Sequence, residues 1–268
     1  CKVRALWREW PKMHKPPVFY ALIQVKFNAV QMERFVSDFR EALRGNGFPD
    51  YQEDTQTELL ISMGPSGPRP PEQRPRNRWR FFNMERTEGF TLLDDALVYH
   101  TNRYDCFTHC RDVALQALRI LHDRVDLAYV ERVGMRYLDA VMPAAGAALA
   151  DLVKPTLLGP YSELPGDLDH GFSETRKIVG DGNLVMRTLI NEKGLAIPPD
   201  LQNQTLNLDE TLKSYQGDLL LVDTDYFVQK RFKFDMNAIE KQFQASHAVL
   251  IDTFKAAITD EAKALWGL

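Results

Sequence analysis

The 268-residue chain is 44% hydrophobic and 26% charged, enough apolar material for a packed core and too much for a disordered chain. No stretch nears the roughly 18 consecutive apolar residues of a membrane helix, so no membrane association is expected and the reading is a cytoplasmic protein. Net charge is −4, yet residues 1–15 and 69–80 carry +4 each and leave −12 for the rest, a concentration of basic charge that suits an anionic partner.

Residues 1–17 read as a basic aromatic arm that ends in Pro16-Pro17; Trp7, Glu9, Trp10 and Pro11 break any apolar run of the kind a signal peptide needs. Phe19, Ala21, Ile23, Val25 and Phe27 alternate with polar neighbours and predict a strand. Met32, Phe35, Val36, Phe39 and Leu43 then recur at helical spacing, up to the stop at Gly45 and Gly47. A short strand is expected at Glu58–Met63. Residues 64–77, with five prolines and two glycines, predict an irregular loop. Arg78–Glu85 and Phe90–His100 pair as a hairpin about Thr87-Glu88-Gly89, and a helix opens near Tyr104.

A second, similar succession starts at the strand Tyr129–Val141. A Pro-, Gly- and Ala-rich stretch follows, with a helix near Ala144–Val153. Gly171–Val179 and Leu184–Asn191 flank the turn Gly180-Asp181-Gly182-Asn183, residues 194–217 form a polar connection, and Asp218–Val228 is the next strand. The chain ends in a helix with Met236, Ile239, Phe243, His247, Leu250, Phe254 and Ile258 on one stripe. The expected fold is α+β: two pseudo-repeated halves, 18–127 and 128–268, each a mainly antiparallel sheet with long amphipathic helices packed on one face.

Candidate chemistry is sparse. In Tyr129–Asp139, strand alternation puts Arg132, Gly134 and Arg136 on one face, a cationic notch, with Tyr137 on the other; pairing with neighbouring carboxylates is the bland alternative. Asp223 and Asp225 share a strand face. They are a weak metal site without a third ligand nearby, and salt bridges to arginines suit them better. Cys106, His109 and Cys110, with His100 and His122 nearby, fail to complete a tetrahedral zinc set at standard spacing, and the two thiols read as buried apolar groups. His247 reads as a core histidine. The hydrolase elbow and the glycine-rich phosphate cradles are absent from the sequence, and no cofactor is expected. Arg74, Arg76, Arg78, Trp79 and Arg80 interleave charge with aromatic surface, as a nucleic-acid or acidic-protein contact would; Trp7 and Trp10 in the arm form a second contact candidate.

The segments PPVFYALIQVKF, Gly47-Phe48-Pro49, RWRFF, Tyr104 with Phe107, RVGMRYLDAV and His247…Phe254…Ile258-Thr259 occur in an order that resembles a sporadically distributed family of prokaryotic proteins of about this length. Arg132, Gly134, Arg136 and Tyr137 match that family's Arg-x-Gly-x-Arg-Tyr strand. The resemblance implies a fold grouping and no established activity, and the family's patchy distribution implies genes that move between genomes, as in phage defence or mobile elements. The expected function is a non-enzymatic binding or accessory protein that acts through a protein partner or a homo-oligomer. The alternatives are a nucleic-acid-binding module using residues 69–80 with Arg132 and Arg136, and a metal-dependent hydrolase or transferase using Asp223 and Asp225.

Overall fold

A computed structural model describes residues 16–60, 63–64, 67–68, 72–144, 146–160, 163–166, 169–191, 194–195, 197–201 and 206–268. The arm with Trp7 and Trp10 lies outside the described residues. Alternating apolar residues make β1 (Val18–Phe27), which lies near the middle of the sheet. The chain leaves it through α1 (Val36–Gly45), whose Phe39 and Leu43 are buried, and closes that helix with Gly47 at a φ of 94°. It returns through β2 (Asp50–Leu60), β3 (Met63–Gly64), β4 (Gly67–Pro68), β5 (Glu72–Phe82), β6 (Glu88–Leu93) and β7 (Ala96–Thr101), the last pairing back onto β1. Next, α2 (Phe107–Val125) leads to the long strand β8 (Tyr129–Val141), which pairs antiparallel with the other side of β1.

From β8 the chain runs through two single turns, α3 (Leu149–Leu152) and α4 (Pro155–Leu158), into β9 (His170–Val179) and β10 (Gly182–Asn191). The 194–217 connection, with α5 (Glu210–Ser214), brings it to β11 (Leu219–Val228), which pairs with β8; β12 (Phe232–Lys233), α6 (Met236–Ala257) and α7 (Asp260–Trp266) complete it. Among the described residues ten strands form one antiparallel sheet in the order β2-β5-β6-β7-β1-β8-β11-β10-β9, with β12 beside β8.

The helices α1, α2 and α6 cover one face of this sheet. Ile23, Phe81, Phe90, Tyr99, Met135 and Tyr226 pack there against Phe39, Leu118 and Phe243 in a core that crosses from β1 to β8 without a break. A smaller core around Val222, Ile190, Phe254 and Trp266 sits under α3, α4 and α7. A third lies on the opposite face, where Leu138, Ala140 and Leu221 meet Leu201, Leu206 and Leu212. The 194–217 connection is therefore more than the polar linker its composition predicts: its spaced leucines lay it across one end of the face opposite the long helices.

The first return differs from the expected one. The polar β2 begins at Asp50, not Glu58, and the proline-rich stretch expected to be irregular enters β5 at Glu72, with Pro75 opposite Thr57. Proline is tolerated there because β5 pairs with β6 only from Trp79 to Phe82, so the other side of the strand at Pro75 needs no donor. The hairpin turn also falls earlier than predicted, at Asn83–Thr87: the Asn83 side chain accepts from the Thr87 and Glu88 amides, and Arg86 takes a φ of 53°.

Candidate anion-binding site

Strand alternation decides the site. Side chains alternate along each strand, and residues paired across neighbouring strands share a face; the register therefore brings Arg76, Arg78 and Arg80 of β5, Gln24 of β1, Arg132 and Arg136 of β8, and Asp225 of β11 together on the face away from the long helices. Together with Leu22, Leu93, Val98 and Leu201 they line a cleft of about 330 Å³. Segments more than fifty residues apart thus contribute arginines to one cleft. Trp79 and Tyr137 point the other way, into the helix-side core, so neither is available as a contact residue of this surface. Arg74 lies on β5, and its side chain is outside the described residues.

The arginines are not equally neutralised. Asp223, fully buried, receives Nε and Nη2 of Arg136 at 2.7 Å each, and Arg187 adds a third contact at 3.3 Å. Asp200 caps the same guanidinium from the 194–217 connection. Burial opposes the charge on Arg136, but its hydrogen bonds to Asp223 and Asp200 outweigh that and hold its pKa above the ordinary arginine value. At the other wall one carboxylate serves two cations: Asp54 accepts both prongs of Arg78 at 2.9 and 2.7 Å and Nη2 of Arg80 at 2.8 Å. Arg80 is 6% exposed, and burial, then the charge of Arg78, press its pKa down.

Arg132 has the weakest counter-charge. Asp225 approaches it only to 3.8 Å, Gln24 is a neutral hydrogen-bond acceptor, and burial lowers its pKa. Burial also raises the pKa of Asp225, which weakens that carboxylate as a partner. The guanidinium lies over the Phe227 ring at 4.3 Å and covers Gly134, where a Cβ would stand 3.3 Å from it. Gly134 thus makes room for Arg132 itself and leaves no open notch. Arg76 reaches over to Asp95 in the β6–β7 turn, which Lys26 also approaches at 3.4 Å.

The remaining candidates disperse. Cys110 is buried with its sulfur 4.0 Å from the Tyr99 hydroxyl, His109 pairs with Glu88, His122 stacks on Phe234, and His100 sits on the opposite sheet face 3.2 Å from the Tyr20 hydroxyl. Among the described residues no three His, Cys, Asp or Glu side chains gather as metal ligands. Asp223 and Asp225 do share a face, but Asp223 is taken by Arg136 and Arg187. His247 is stacked on Phe107 at 4.1 Å, lies 3.0 Å from the Tyr137 hydroxyl, and burial lowers its pKa to about 4.

Asp54, Asp200, Arg187 and Gln24 belong to the network without having been singled out from the sequence. Asp54 stands directly opposite Arg78 and Arg187 directly opposite Asp223 in the strand pairing, and only that register, which the sequence does not show, turns them into contacts. The chain matches no protein-family model, no curated protein and no solved structure.

Proposed function

We propose that the protein is a non-enzymatic binding protein that takes an acidic segment of a partner protein into the arginine-lined cleft. The observation that carries this reading is the incomplete neutralisation of Arg80 and Arg132: one shares its carboxylate with Arg78, and the other is 3.8 Å from a carboxylate that burial weakens. A buried cation short of counter-charge is stabilised by an incoming anion, and the fork of a guanidinium suits a carboxylate. Leu22, Leu93, Val98 and Leu201 between the arginines favour a segment that mixes acidic with aliphatic side chains.

The nucleic-acid reading comes second. The row Arg76, Arg78, Arg80 supports it, but the described lining of the cleft offers aliphatic side chains where bases would need aromatic platforms. The hydrolase reading is weakest, because Asp223 would have to exchange Arg136 for a metal. We also read residues 18–127 and 128–268 as two copies of one unit. In support, each begins at a central strand, leaves by a crossover, meanders back to pair with that strand and closes with a long helix; the first return has an additional strand.

Fluorescence anisotropy with a labelled peptide of alternating Glu and Leu tests the leading proposal. Arg132→Gln should weaken binding about tenfold or more and leave the melting temperature nearly unchanged. If the peptide does not bind while a single-stranded oligonucleotide does, with affinity falling about one log per log salt for each phosphate contacted, the nucleic-acid reading takes its place.

A further inference from the structure

The two ends of the sheet differ. β2 is acidic along its length, with Asp50, Glu53, Asp54 and Glu58, the kind of charged edge that resists pairing with another chain. β9 is a ten-residue edge strand, HGFSETRKIV, exposed over most of its length, with Phe172 61% and Ile178 83% exposed. It pairs with β10 on one side, and among the described residues no strand pairs with its other side. A long edge strand with solvated apolar side chains is a template for strand addition.

We infer that β9 is a homodimer edge, and that the strand it takes is β9 of a second copy, running antiparallel about a two-fold axis at Thr175. The sequence of the strand selects both the partner and the register. In an antiparallel pair the pleat lets only residues of equal parity face one another, so a self-pairing must centre on a residue. Centred on Thr175, Glu174 faces Arg176 of the other copy and Phe172 faces Ile178, each pair occurring twice by symmetry. Centred on Glu174 the strand sets carboxylate against carboxylate, and centred on Arg176 it sets guanidinium against guanidinium. One register therefore gives two charge-complementary pairs and two apolar pairs on one face. Inside the chain Glu174 lies 3.2 Å from Arg176 and 2.7 Å from Arg187, so the carboxylate is already held on the face where it is needed. The axis stands perpendicular to the sheet, so both arginine clefts open to the same side, and the interface is isologous and closed.

The test is the mass of the full chain in solution by sedimentation velocity, with charge variants. The wild type should sediment at twice 30.8 kDa in the micromolar range. R176E and E174R should each self-associate about tenfold or more weakly, because each sets like charges opposite one another. Mixed together, the two variants should recover the dimer, since each then meets its opposite; recovery also shows that both are folded. T175C should cross-link on mild oxidation well above the wild-type background, whereas K177C, displaced from the axis, should not. A monomer at all concentrations overturns the inference. So does a dimer indifferent to both charge variants, or open-ended growth of larger species, which a pairing of β9 with β2 of the next copy would give.

Discussion

Asp139 is the residue whose environment is least ordinary. It sits on β8 among apolar neighbours, 2% exposed, and its Oδ1 has no hydrogen-bond partner among the described residues. Burial, then the charge of Asp223, raises its pKa to about 8. Folded Asp139 therefore keeps its proton over a range where the unfolded chain, with a carboxyl near pH 4, has lost it. The resulting stability is fully present below about pH 4 and drains away as pH rises towards 8. Asp139→Asn should remove that slope and leave the variant more stable than wild type above pH 8, by on the order of 1–3 kcal/mol in urea denaturation followed against pH. A variant less stable at every pH would mean that the carboxylate has a partner which the amide cannot replace. His100 and His247 bear on the acid side. Burial lowers their pKa values to about 3 and about 4, so their neutral forms contribute stability above pH 6.5 that is lost as pH falls through that window. The sequence showed an acidic residue inside an apolar strand; its isolation could not be read there, because the β8–β11 register sets its distance from Asp223.

At the scale of elements, legibility followed hydrophobic alternation. β1, β8, β10 and β11 each bury apolar residues, and the sequence places all four within two residues of their observed ends. β2 escaped because its residues are polar, its register being set by pairing with β5 at one edge, and the 194–217 connection was misjudged because its leucines are widely spaced. The arginines were legible as residues sharing a strand face, whereas their carboxylates arrive from β2, from β11 and from the 194–217 connection. The Arg136–Asp223 pair bridging β8 and β11 gives a prediction at this scale. Either Arg136→Gln or Asp223→Asn removes the bidentate partner of a buried charge, leaving Asp223 with Arg187 alone or Arg136 with Asp200 alone, and should cost up to about 3–5 kcal/mol in denaturant unfolding. Replacing both, as Arg136→Met with Asp223→Leu, should cost much less than the sum of the singles; equal additivity would mean the two side chains do not act as a pair. Gly89 fixes a second constraint. A Cβ there would stand 2.6 Å from the Phe81 carbonyl oxygen, so Gly89→Ala must push the β5 and β6 backbones apart and should cost about 1–3 kcal/mol.

For the whole molecule the decisive feature is the seam between β1 and β8. Nine residue pairs of β1 and β8 lie across the division between residues 127 and 128 that the proposed repeat would draw. The principal core also runs across it, with Ile23 and Val25 on one side and Val133, Met135 and Phe243 on the other, all buried. Separating the halves would expose these side chains and create two unprotected central-strand edges, whose open backbone groups favour aggregation over a folded monomer. Residues 18–127 and 128–268 produced alone should therefore give no cooperative melting transition, while the two produced together should reassociate and regain both the transition and the binding of an acidic peptide. A cooperative transition in either fragment alone would show that its own helices suffice to cover its own sheet. The cleft makes the reassociation informative, because its walls come from both fragments: Arg76, Arg78 and Arg80 from the first, and Arg132, Arg136 and Asp225 from the second. Binding restored by mixing would thus report the seam closing in its native register, since a slip of one residue would turn Arg132 and Arg136 into the apolar core.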